Sequence, residues 1–216
     1  MTKKPLFIVF DGLDGSGKST QINRLAAALR AEGRDVVLTA EPTDYDTGRT
    51  LRKALRGEKA ATATELAALF LLDRISHNVH PETGIEAMLS AGKTVLCDRY
   101  YYSSMAYQGG QTDFEWVTRL NVDCPDIRHP DGCLLFDMSP EECMARIQKG
   151  RDSTEIYETV EAQTRCRAMF ARVTERLCNV DAIYTIDAGK SEDEVFSQVW
   201  DAVCKMELAK EDGHDR

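Results

Sequence analysis

Short apolar runs alternate along the chain with stretches in which apolar residues recur every three or four positions, the signature of strands and helices taken in turn. Leu6 to Phe10 reads as a first strand, and Lys18 to Glu32 as a helix with Ile22, Leu25, Ala26 and Leu29 on its apolar side, closed by Gly33. Asp35 to Thr39 is a second strand that delivers Glu41 and Pro42 at its end. A polar, turn-rich segment, Thr43 to Gly48, leads into a short helix around Leu51 to Leu55 that Gly57 ends. Thr62 to His77 is a strong helix with Leu66, Leu69, Phe70 and Ile75 on one side; after a break near Pro81, Glu82 to Ser90 makes another. Thr94 to Cys97 is a third strand, Phe114 to Val122 a helix and Cys133 to Phe136 a fourth strand. Ser139, Pro140 and Glu142 open a helix that runs to Gln148, with serine as its cap. Glu155 to Leu177 is a long helix, Ala182 to Ile186 a fifth strand and Glu192 to Glu207 a last helix, with a charged, frayed tail from Ala209 to Arg216.

Such alternation predicts an α/β three-layer sandwich, a five-stranded parallel sheet with helices on both faces. One domain over 1–208 is expected, with a short lid at about 146–156 and a tail at 209–216. In open parallel sheets ligands gather beyond the carboxyl ends of the strands, and there the polar residues interrupt the apolar runs: Asp11 to Ser19, Glu41, Asp98 to Tyr100, and Asp137.

The first of these stretches carries the strongest signal. Gly12, Leu13, Asp14, Gly15, Ser16, Gly17, Lys18 and Ser19, followed by Thr20, spell G-x-x-x-x-G-K-S between a strand and a helix, the required context for a phosphate-binding loop. Glycines let the backbone wrap a polyphosphate so that successive N–H groups and the positive end of the helix face the anion. Lys18 adds a point charge on the β- and γ-phosphates, and the Ser19 hydroxyl is placed to ligate Mg2+. A turn that bound nothing would have no use for that lysine and hydroxyl. The second signal follows the third strand, where Asp98 can hold Mg2+ directly or through water and Arg99 can grip a phosphate through two parallel hydrogen bonds.

Composition narrows the field. With 43% hydrophobic residues the 216-residue chain can bury a full core, and its net charge of −9 argues against non-specific binding of nucleic acid or of anionic membranes. No apolar run approaches the roughly 20 residues that span a bilayer. Lys3 and Lys4 precede an apolar run that breaks at Asp11 and feeds the loop, so the run reads as a strand and not a signal peptide. The seven cysteines have no C-x-x-C spacing and read as reduced thiols of a cytoplasmic protein. His77 and His80 have no acidic or cysteine partner beside them in sequence, so ordinary polar helix positions are expected and not a metal site.

Four separated stretches, FDGLDGSGKSTQ, Glu41-Pro42, LFLLDRISH (Leu69 to His77) and DRYYYSSMAYQG from Asp98, together resemble the thymidylate kinase (dTMP kinase) family of P-loop nucleoside monophosphate kinases. The resemblance implies transfer of the γ-phosphoryl of ATP to dTMP, with Mg2+, by a homodimer. It makes Asp14 the acceptor for the deoxyribose 3'-hydroxyl, Phe70 the ring that stacks on thymine and Arg74 the donor to its O4. Phe70 and Arg74 stand four apart on one helix, so both can reach one ligand. By the same resemblance Ser104 and Gln108 read the base edge, Tyr107 crowds the 2' position, Glu41 belongs to the acceptor site, and Arg99, assisted by Arg52, takes the acceptor phosphate. A further arginine is expected from the lid, because the loop position after Asp14 is Gly15. Arg151 is the first choice, with Lys149 and Arg146 in support, and Asp187 to Lys190 resembles the loop under the donor adenine. The chain departs from the family at Asp11, where Glu is more usual, at Ala40, where many relatives place Arg, and in the polar 43–48 segment. A switch GTPase would need an N-K-x-D motif, which is absent, and a nucleic-acid motor would need an Asp-Glu pair after the third strand.

Overall fold

The computed structural model describes residues 3–150, 159–211 and 213, with Lys149 and Gly150 as backbone only. Five parallel strands form one sheet: β1 (Phe7–Gly12), β2 (Val36–Ala40), β3 (Thr94–Asp98), β4 (Gly132–Asp137) and β5 (Ile183–Asp187), in the order β2-β3-β1-β4-β5. The first strand is the central one. Its neighbours β3 and β4 both come later in the chain; the connection leaving β1 runs to β2 on one side and β4 and β5 are added on the other, so its carboxyl end lies at the point where strand order reverses and a crevice opens. Phe7 to Phe10 are wholly buried, as expected of a strand covered by helices on both faces, and aromatic contacts lock it in place: Phe7 meets the Tyr100 ring edge-on at 5.2 Å and Phe10 stacks on Phe136 at 5.8 Å.

Register makes the strand ends flush. Asp98 lies level with Phe10 and with Ala40, Gly12 with Phe136, and Asp137 with Asp187, so the polar residues that end the apolar runs share one edge. Nine helices surround the sheet among the described residues: α1 (Lys18–Ala31), α2 (Asp46–Leu55), α3 (Ala63–Val79), α4 (Ile85–Ser90), α5 (Tyr101–Tyr107), α6 (Phe114–Val122), α7 (Pro140–Gly150), α8 (Val160–Leu177) and α9 (Glu192–Glu211). None is long and apolar enough to cross a membrane. Helices α1 and α9 pack together along one side, while α5 lies against β1, α8, α6 and α3. Thr62 and Glu65 cap α3 reciprocally, each side chain bonding the other's backbone N–H, a device that stabilises a helix start by about 1 kcal/mol.

Four elements differ from the reading of the sequence. Helix α2 begins at Asp46, inside the segment that reads as turns, because the buried Asp73 of α3 accepts from Thr43 N (2.8 Å), Thr43 Oγ1 (2.6 Å) and Thr47 Oγ1 (2.7 Å) and so organises that segment from across the chain. Helix α5 occupies Tyr101–Tyr107, where aromatic and hydroxyl residues give no helical signal. Helix α8 starts at Val160 with Thr159 as its cap (Ala162 N to Oγ1, 3.1 Å), after the expected start at Glu155, and residues 155–158 lie outside the described ones. Helix α9 runs on to Glu211 through the first part of the expected frayed tail, because Lys210 Nζ reaches both carboxylate oxygens of Asp131 at 2.7 Å and Lys4 Nζ donates to Lys210 O at 3.0 Å. All seven cysteines are free thiols.

Candidate active site

The loop between β1 and α1 is built on positive backbone angles at Gly12 (φ 130°), Gly15 (φ 81°) and Gly17 (φ 92°). A Cβ at Gly12 would stand 2.4 Å from Phe136 O and one at Gly15 2.5 Å from Cys143 O, so neither position admits a side chain. Gly17 caps α1 without a side chain, which leaves the first-turn N–H groups facing the cleft. Lys18 curls back over the loop and donates to Leu13 O (2.8 Å) and Gly12 O (3.2 Å), and the Ser16 hydroxyl also donates to Leu13 O (2.8 Å). Burial lowers the pKa of the Lys18 ammonium, and the nearby Arg99 lowers it further against the pull of Asp14, Asp98 and Asp11. A polyphosphate is the counter-charge that this lysine lacks. Together Asp14 to Gln21, Arg146, Ile147, Ala188, Lys190 and Glu192 line a cleft of about 660 Å3.

Across the cleft Ser19 Oγ lies 3.2 Å from Asp98 Oδ2, and Asp98 Oδ1 is buried without a hydrogen-bond partner among the described residues. A buried carboxylate oxygen beside a hydroxyl and an open phosphate site is the hard oxygen set that Mg2+ takes when phosphates and water complete its shell. These two side chains therefore fit the ion.

Asp11 ties the loop to α5. Its Oδ1 accepts from Gly12 N (2.9 Å) and Ser103 Oγ (2.6 Å), and its Oδ2 from Ser103 N (3.0 Å) and Tyr100 N (3.2 Å). Complete burial raises the Asp11 pKa, opposed by Arg99, Ser103 and Gly12. Arg99, between β3 and α5, is the one non-glycine residue with positive φ (68°) among the described residues. That turn sends its guanidinium back over the loop, where it donates to Asp14 Oδ1 (2.6 Å) and Ser103 Oγ (2.8 Å) and lies 5.6 Å from the centre of the Tyr107 ring.

Beside this cleft, Phe70 and Arg74 of α3, Tyr107 of α5 and Gln108 just beyond it close on a small cavity of about 110 Å3, which Asp14, Glu41 and Arg99 share with the larger cleft. Arg74 is 1% exposed; it donates to Glu41 Oε2 from Nε (2.9 Å), with Nη2 in ion-pair contact with the same oxygen (2.6 Å), and donates to Ser104 Oγ from Nη2 (3.1 Å) and to Asn121 Oδ1 from Nη1. Phe70 rests on the small apolar cluster of Leu51, Ala54 and Leu66. Ser104 stands behind Arg74 and does not line the cavity, and Glu41 is engaged with Arg74 and His77. Arg52 is drawn to the 42–44 backbone, donating to Pro42 O (2.7 Å) and Thr43 O (2.6 Å), and lines a separate cavity with Ser19 and Asp98. Arg146 lines the larger cleft, with Nη2 3.4 Å from Ala188 O. Arg151 and the Lys149 side chain lie outside the described residues.

Some neighbours of the site are not marked in the sequence. His77, which reads as an ordinary polar helix position, is 1% exposed and held between Thr39 and Glu41. Asn121 and Gln163, whose Nε2 lies 3.5 Å from Asp14 O, are buried on distant helices, and no local pattern announces either. Ser103 falls within the stretch after β3 and offered the one available hint, a hydroxyl four residues beyond Arg99.

Comparison with known proteins agrees with this geometry. A family model described as thymidylate kinase matches residues 10–199. A probable thymidylate kinase of Thermococcus onnurineus is 40% identical over 79% of this chain and 85% of its own, and one of Pyrococcus horikoshii is 37% identical over 78% and 82%. A thymidylate kinase of Leptospira borgpetersenii is 33% identical over 91% of this chain and 92% of its own.

Proposed function

Since the chain belongs to the thymidylate kinase family, we propose that it transfers the γ-phosphoryl group of ATP to dTMP, giving ADP and dTDP on the way to dTTP. The observation that carries this is the shared wall of the two cavities: Asp14 and Arg99 border both the phosphate-loop cleft and the Phe70–Arg74 cavity, so a donor triphosphate and an acceptor monophosphate would meet there.

Phosphoryl transfer needs two polyanions held in line and their charge neutralised as the group moves. Residues Gly12 to Thr20 hold the donor phosphates, and Lys18 leaves its loop carbonyls for them. Ser19 and Asp98 would hold Mg2+, which would supply further neutralisation of phosphate charge. Arg99 takes the acceptor phosphate, Asp14 the 3'-hydroxyl, Phe70 and Arg74 the thymine ring; Glu41, Tyr107 and Gln108 line the pocket, Ser104 braces Arg74 from behind, and Arg52 acts from the adjoining cavity. Arg151, with Lys149 and Arg146 in support, carries the transition-state charge from a lid at about 146–156 on a single domain of 1–208. Leu72 and Val79, about half exposed and seven residues apart on α3, give that helix an apolar stripe consistent with a homodimer. The enzyme works in the cytoplasm without nucleic-acid or membrane partners.

The test is turnover of purified protein with ATP and a panel of dTMP, dUMP and dCMP. We expect dTMP to give the highest kcat/KM; faster turnover of dCMP or dUMP would overturn the choice of acceptor.

A further inference from the structure

The guanidinium assigned to the thymine ring does not stand alone. Behind it runs a chain of polar groups that starts at the half-buried Thr39: Thr39 Oγ1 to His77 Nε2 (2.7 Å), His77 Nδ1 to Glu41 Oε1 (3.0 Å), and Glu41 Oε2 to Arg74 Nε (2.9 Å) and Nη2 (2.6 Å). His77, Glu41 and Arg74 are each at most 4% exposed. The chemistry of the partners fixes the histidine. A carboxylate only accepts, so Nδ1 must carry the proton that faces Glu41, while Nε2 meets the Thr39 hydroxyl, which can donate or accept. Both ring nitrogens of His77 thereby have a partner.

This arrangement has a directional consequence. A carboxylate held on one side only can rotate about its last bond, and a guanidinium paired to it turns with it. With Oε1 anchored by His77, Glu41 presents Oε2 in one orientation, and Asn121 and Ser104 fix the rest of the Arg74 plane. Arg74 lines the small cavity with Phe70, so its angle decides whether an N–H meets a carbonyl on a base stacked there.

We propose that His77, braced by Thr39, is a positioning residue for base recognition: it acts through Glu41 to hold Arg74 at the angle that reads the thymine O4. The inference rests on the assignment of dTMP to this cavity. It is tested by comparing kcat/KM for dTMP with that for the analogue lacking O4, a 5-methyl-2-pyrimidinone deoxyribonucleotide, in wild type, H77F and H77N. Asparagine places an N–H where Nδ1 stood and phenylalanine does not. The wild type should prefer dTMP; H77F should lose about tenfold of that preference and raise KM for dTMP with KM for ATP unchanged, and H77N should regain most of it. Should H77F fail to fold, T39V, which removes only the brace, should shift the preference the same way by about threefold. An H77F enzyme with wild-type preference and KM, an H77N enzyme no better than H77F, or, where H77F does not fold, a T39V enzyme with wild-type preference would overturn the proposal. A wild type that turns over both acceptors equally would instead overturn the assignment of Arg74 to the base.

Discussion

The two halves of the cleft are made of different material. On the donor side the ligand surface is main chain, with glycine turns, the open first turn of α1 and a lysine resting on carbonyls of its own loop. On the acceptor side it is side chain: Phe70 and Arg74 line the cavity, and Arg74 belongs to a web with Glu41, His77, Ser104 and Asn121 drawn from α3, α5 and α6 and from the turn after β2, every member of that web buried. A backbone cradle suits a phosphate chain, because all nucleoside triphosphates present the same anion. A side-chain web can discriminate, because removing one partner leaves a buried polar group unpaired.

The sharpest way to separate the halves is Lys18→Ala. It should lower kcat by roughly 10^3-fold while calorimetric affinity for dTMP stays within about twofold. A parallel loss of dTMP binding would show that the halves are not independent. Next in size is Asp11→Asn, aimed at the buried carboxylate that ties the phosphate loop to α5. An amide in place of a carboxylate turns an NH2 group toward donors, and the expected loss is about 3 kcal/mol in denaturant unfolding, with KM raised for both substrates. A rise in only one KM would mean that Asp11 serves one half.

The smallest effect concerns the floor beneath α5. There Asp181 Oδ2 accepts from Tyr101 (2.6 Å) and Tyr102 (2.9 Å), and its Oδ1 lies 2.7 Å from His129 Nδ1. The hydrogen bond to Asp181 raises the His129 pKa above its ordinary value of 6.5 against the cost of burial, and Asp181, the Val122 carbonyl and Asp123 add to the rise. A raised histidine pKa gives stability that is fully present below the ordinary value and is lost as pH rises through the folded one. His129→Asn, which keeps a donor but no charge, should therefore cost about 1 kcal/mol below pH 6.5 and progressively less above it, measured by urea unfolding across pH. A gap that widens with pH would reverse the assignment.

The same contrast explains what could be read in advance. The phosphate loop was legible because its instructions are contiguous: a strand, spaced glycines, Lys18, Ser19 and a helix. Strand positions followed from apolar runs, and α6 from its own periodicity at Phe114–Val122. Helix α5 was not legible, since the acid that receives its first N–H groups is Asp11, far back on β1, and α2 starts where it does because Asp73 of α3 reaches back to Thr43 and Thr47. His77 looked like a solvated position because nothing nearby in sequence shows that Thr39 and Glu41 enclose it. Local pattern reports what a residue does to its own backbone; a web of side chains is written at scattered places.

One contact described above gives the pocket an entry rule. Arg99 is paired with Asp14 at 2.6 Å, so the acceptor phosphate proposed for that guanidinium would compete with a carboxylate that is already there. Arrival would then be a swap of anions, and the carboxylate released is the group assigned to the sugar hydroxyl of the same incoming molecule. Thymidine, with no anion to trade, would leave the pair closed.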